Sequence, residues 1–146
     1  MSVALNPEAI VRQFIDAFRV TWPSDFDAAL APLAEDATYQ IVVPTIAPIR
    51  GRATIKAELL RMQTRVADQK HVMKHVAASG NTVFTERVDS SLRNGHWVDI
   101  PLVAVFELND RGQIAIWREY LDLSNVAHKH GMTVDALRDS LVLATA

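Results

Sequence analysis

The chain has 146 residues, 49% of them apolar and 22% charged, with a formal net charge of -2 and no cysteine. This fits a single domain over residues 1–146 with a packed core and argues against disorder. The charge gives no reason to expect nucleic acid or an anionic membrane surface, and the missing cysteine removes disulfides, thiolate catalysis and thiolate-bound zinc. Met1 to Pro7 carries no basic leader, and no apolar run approaches the roughly 18 residues a membrane span needs, so a cytoplasmic location is the expectation.

Asn6-Pro7-Glu8 reads as a helix start: a capping side chain, proline at the first helical position and an acid at the positive dipole end. Ile10, Phe14 and Phe18 follow at spacing four, an apolar stripe for core or cavity, and Trp22-Pro23 stops the helix. Ser24-Asp25 caps a second short helix, Phe26 to Ala34, kinked or shortened by Pro32. Thr38 to Val43 has strand composition, and Gly51 to about Val66 is helical again. The chain then turns to strands: His71 to Ala77, Val83 to Leu92, Trp97 to Leu108 and Ile114 to Leu123. Asn94-Gly95 between the second and third is a hairpin signal, because both residues tolerate positive φ. His71 and His75 are then same-face residues too far apart to share a metal ion, and His128-Lys129-His130 is a polar turn. After Gly131, Thr133 caps a last helix with Val134, Leu137 and Leu141. Helices first and antiparallel strands after is the α+β order, and a strongly curved sheet with helices on its concave face leaves a pocket between the layers.

Alternation along Thr85-Glu86-Arg87-Val88-Asp89 turns Arg87 and Asp89 the same way, with Thr85 and Val83. In Trp117-Arg118-Glu119-Tyr120-Leu121-Asp122, the face with Trp117 and Leu121 is the inward one, which carries Glu119 inside. Arg87 between Asp89 and Glu119 makes an acid–arginine–acid array, in which two carboxyls can be held in different protonation states. Trp97 and Trp117 are read as pocket or core aromatics.

Thr85 to Asp89, the proline-bearing strand Ile100 to Leu108 and Trp117 to Asp122 resemble the three core segments of the limonene-1,2-epoxide hydrolase family, within the NTF2-like/SnoaL-like superfamily. Glu35 to Gln40 and Arg50-Gly51-Arg52 are similar to its earlier parts. The likeness runs from about Asn6 to Leu123 and leaves residues 124–146 as a C-terminal helical extension. The resemblance implies an NTF2-like cone and one-step opening of an apolar, terpenoid-like or cyclic epoxide by water, with no cofactor and no metal. It implies Asp89 as general acid, Glu119 as general base, Arg87 as their bridge and Tyr39 as a holder of the water. It also implies a homodimer, and the substrate is a small hydrophobic molecule. Two positions depart from the family: Glu119 stands where it has Asp, and Ile41 where it has a water-binding Asn. An isoleucine cannot hold water, so a substrate hydroxyl can attack instead and close a ring. Two other readings of the same fold are a cyclase or isomerase of the ketosteroid-isomerase kind, and a non-catalytic binding domain.

Overall fold

The structure, a computed structural model, describes residues 5–21 and 25–141. Helix α1 (Pro7–Thr21) starts as its sequence predicts, with the Asn6 side chain accepting from the Ala9 amide at 3.1 Å. The Trp22-Pro23 stop and the Ser24 cap lie outside the described residues, but Asp25 caps α2 (Phe26–Leu30) through the Ala28 amide at 3.0 Å. Strand β1 (Leu33–Gln40) follows at once. The second helix is therefore shorter than expected and the first strand begins earlier. Pro32 cannot donate into a continuing helix, and the Leu33 and Ala34 side chains are buried in the sheet layer. The remaining elements are β2 (Ile49–Arg50), α3 (Arg52–Met62), β3 (Asp68–Ser79), β4 (Thr82–Arg93), β5 (His96–Leu108), β6 (Ile114–Tyr120), α4 (Leu123–Lys129) and α5 (Val134–Ser140).

Among the described residues six strands form one mixed sheet in the order β2-β1-β6-β5-β4-β3, with β1 parallel to β6 and the other pairs antiparallel. Asn94 and Gly95 both adopt positive φ, 50° and 78°, so the β4–β5 hairpin closes as its dipeptide requires. Register shifts in the β1–β6, β3–β4 and β5–β6 pairs bend the sheet. Helix α1 packs against β3 and β4, and α3 against β1 and β2.

The core lies between these helices and the sheet. Phe14 meets Trp117 edge to face with ring centroids 5.2 Å apart, and Phe18 stands 5.1 Å from Phe14. Such perpendicular contacts add to the burial of each ring.

Two side chains face otherwise than the sequence reading expected. The β3 shift between Met73 and His75 reverses parity, so His71 points inward while His75 is on the outer face, hydrogen-bonded to Glu86. Trp97 is not a pocket residue. Even-numbered β5 residues face inward, which turns Trp97 outward, 42% exposed with the Lys70 ammonium 4.3 Å from its ring centre. The expected last strand ends at Tyr120, and Asp122 caps α4, a helix its polar composition concealed. Among the described residues no helix is long and apolar enough to cross a membrane.

Candidate active site

A cavity of about 770 Å³ lies between the helices and the sheet. Phe14, Phe18, Tyr39, Ile41, Trp117 and Leu121 line it, as do Arg87, Asp89 and Glu119. Every expected site residue except Trp97 is therefore on its wall. The C-terminal helices, left open by the sequence, contribute Val126 and Leu137.

Arg87 and Glu119 come from strands separated by β5. Two inter-strand steps amount to about 10 Å, more than adjacent short side chains can cross. The register solves this by pairing Thr85 with Ala104 and Ala104 with Glu119. Ala104 is fully buried, and its single methyl leaves a gap over β5 through which the long arginine side chain reaches.

Arg87 is 3% exposed, and its guanidinium is well satisfied. Its Nε donates to Asp89 Oδ1 at 2.8 Å, and its Nη1 to Thr85 Oγ1 at 2.9 Å. Nη2 donates to Glu119 Oε2 at 2.7 Å and to Asp89 Oδ2 at 3.2 Å. The planar fork of donors is what lets one cation hold two carboxyls at fixed angles, which a lysine would not do.

Tyr39 reaches the second carboxyl from β1. The parallel register pairs Tyr39 with Trp117, and the two rings lie 4.0 Å apart. From there the Tyr39 hydroxyl donates to Glu119 Oε1 at 2.7 Å. The following segment is held beside Glu119 by the Val43 amide, which donates to its carbonyl at 3.1 Å. This brings Ile41 to the cavity wall, where an apolar side chain offers a water nothing.

One contact escaped the sequence reading. His71 pairs with Asp89 across β3 and β4, and its Nδ1 lies 2.8 Å from Asp89 Oδ1. Its side chain is 12% exposed and its ring stands 6.4 Å from Phe18. Nδ1–H donating to the carboxylate gives Oδ1 a second donor beside Arg87. The available signal was the inward parity of His71, which the search for metal ligands passed over. Trp117 Nε1, Gln69 Nε2 and His71 Nε2 are buried on the cavity wall without a partner among the described residues. With Nδ1–H given to Asp89, His71 Nε2 is an acceptor, while the indole and amide nitrogens are donors; unpaired buried polar groups on a cavity wall are what a polar group of a ligand would satisfy.

Charge is unevenly distributed between the two acids. Burial pushes the Glu119 carboxyl above its ordinary value; Arg87 pulls it back, and the Asp89 charge adds to the rise. For Asp89, desolvation also acts upward, but Arg87 and His71 outweigh it and leave the group below its ordinary value. Burial and the neighbouring Glu119 raise the Tyr39 hydroxyl well above its usual range, so it stays a donor. The Arg87 guanidinium resists desolvation through the two acids it holds. Of the two carboxyls the more desolvated one, Glu119, is the better proton holder.

The family profile for the limonene-1,2-epoxide hydrolase catalytic domain matches residues 5–131. The chain belongs to the limonene-1,2-epoxide hydrolase family. Epoxide hydrolase EphG of Mycobacterium tuberculosis strain H37Rv is 34% identical over 113 residues, covering 77% of this chain and 71% of that protein. The solved structure of a limonene-epoxide-hydrolase-like epoxide hydrolase of M. tuberculosis aligns at 31% identity with a TM-score of 0.70, over 84% of this chain and 87% of that one. An NTF2-like protein of unknown function from Burkholderia pseudomallei K96243 shares the fold at 18% identity, with a TM-score of 0.73 over 86% and 97% of the two chains. The NTF2-like α+β fold expected of a limonene-epoxide-hydrolase relative is thus present. Among the described residues no group of three metal-binding side chains occurs.

Proposed function

We propose that this member of the family hydrolyses an epoxide with a largely apolar body, by acid–base chemistry shared between Asp89 and Glu119. The observation that carries this reading is the pair of carboxyls on one buried guanidinium inside a cavity whose wall includes Phe14, Phe18 and Ile100. One acid gives its proton to the epoxide oxygen as the carbon–oxygen bond breaks. The other takes a proton from water as the water oxygen bonds to carbon, and a vicinal diol results. No step in this scheme calls on a metal.

Asp89 is the acid and Glu119 the base in this proposal. The resting protein favours the proton on Glu119, and substrate binding reverses the order. Asp89 retains 26% side-chain exposure toward the cavity, against 9% for Glu119. An apolar body seated over Asp89 removes its remaining solvent and raises its value. A water drawn beside Glu119 and the Tyr39 hydroxyl favours the ionised form there.

Asp89→Asn and Glu119→Gln test the assignment. Each is expected to lower kcat/KM for an epoxide by about 10²- to 10⁴-fold while circular dichroism shows a folded protein. Turnover at the parent rate in either folded variant would remove that residue from the chemistry. A homodimer is part of the same proposal: Val72, Phe84, Val103 and Tyr120 expose an apolar patch on the outer sheet face. Sedimentation as a monomer at micromolar concentration would dismiss it.

A further inference from the structure

The cavity has a second electrostatic feature that the acid–arginine–acid array does not use. Among the described residues its only acidic wall residues are Asp89 and Glu119, both held by Arg87. Away from that array the wall carries Arg65, Arg93, Lys129 and His130, although the chain as a whole is slightly acidic. Arg61 is there too, but Glu58 neutralises it.

Backbone pairing brings the first two together. Asp68 pairs with Leu92, and the Ala67 amide donates to the Leu92 carbonyl at 2.8 Å, so the loop bearing Arg65 lies along the end of β4. Arg93 is half-buried and its Nε donates to Ser91 Oγ at 3.1 Å; among the described residues no carboxylate pairs with it. Exposed Arg65 makes no ion pair among them either. Two adjacent guanidinium groups, one partly removed from water, repel each other unless an anion lies between them. Burial and the Arg65 charge hold Arg93 below its ordinary value, and burial and the Arg93 charge do the same to His130. The Arg65 charge thus acts on Arg93, and the Arg93 charge on His130.

We propose that this cluster is a binding site for the anionic end of an elongated substrate, a carboxylate or a phosphate, with the epoxide at the other end. Asp89 and Arg93 share a strand face four residues apart, about 13 Å of extended chain. A medium-length aliphatic body spans that separation, and the cavity of about 770 Å³ accommodates it. The inference rests on the epoxide-opening reading for its reactive end, but the anionic site is testable alone.

Calorimetric titration of the full chain with dodecanoate, dodecyl phosphate and methyl dodecanoate isolates it, because none of the three can react. At least one anion is expected to bind about tenfold more tightly than the uncharged ester. The tighter of the two anions identifies the headgroup. The doubly substituted Arg65→Gln/Arg93→Gln protein, checked for folding by its thermal transition, should lose that preference. Equal affinity for acid, phosphate and ester would overturn the proposal, as would a preference that survives the double substitution or no binding at all. Tight anion binding with no epoxide ever opened would leave this site standing and remove the hydrolase reading. Turnover of neutral epoxides with no anion preference would do the reverse.

Discussion

Removing Arg87 probes the array through stability, independently of any substrate. In Arg87→Met the apolar stem stays roughly in place, while Asp89 and Glu119 lose their shared cation inside the cavity. Breaking a buried ion pair from one side costs about 3–5 kcal/mol. For a domain of this size each kcal/mol moves Tm by about 2–4 °C, so the variant should melt about 6–20 °C below the parent at neutral pH. The deficit must depend on pH, with a definite sign. In the parent, the lowered Asp89 value contributes stability that is present above its unfolded pKa and lost as pH falls through the folded one. In the variant both carboxyls rise above their unfolded values, a cost that grows as pH rises. Glu119, raised already, rises further. Both trends narrow the gap toward acid pH, where the carboxyls are protonated in folded and unfolded chains alike. Thermal melting of parent and variant from about pH 4 to pH 8 measures it, spanning the ordinary carboxyl range. An equal deficit at both ends would show that the loss is packing, and that the acids do not depend on Arg87 for their charge.

The same network supports three further predictions. Tyr39→Phe removes the hydroxyl that donates to Glu119, so kcat/KM should fall about 10- to 150-fold, the value of one hydrogen bond to a buried charge. It should also move the acid limb of the rate profile to higher pH, since the Tyr39 bond lowers the Glu119 value; an unmoved limb would separate Tyr39 from the base. His71→Leu deletes a donor that lowers Asp89. With Asp89 working as the protonated acid, the alkaline limb should shift upward, and a profile identical to the parent's would show that His71 does not set it. Ile41→Asn puts an amide on the cavity wall beside Tyr39. Epoxide hydrolysis should rise several-fold, and with an epoxy-alcohol the ratio of diol to ring ether should rise as well. No change in either would mean that water placement does not limit the reaction.

Strand alternation was enough to turn Arg87, Asp89 and Glu119 inward from sequence, because period two is a property of the backbone alone. The same argument failed at His75, where one extra residue in the bulge reversed the parity. The reading of Trp97 failed for a different reason: bulk and aromaticity suggested the interior, but position in the pleat decided its face, and Lys70 covers the ring there. The early start of β1 was hidden because Leu33 to Ala37 has no β-branched signature, and its strand form depends on Leu33 pairing with Ile114 of β6.

Sequence alone thus determined what local geometry governs: the cap of α1, the Asn94-Gly95 hairpin, the α+β order and the inward-facing acids. Only tertiary structure decided what depends on register between distant segments. Ala104 placed between Thr85 and Glu119 opens the path for Arg87, and β3 brings His71 to Asp89. Arg65 lies beside Arg93 because a loop crosses the end of β4. Such meetings follow from chain closure over many residues, and no short stretch of sequence contains them.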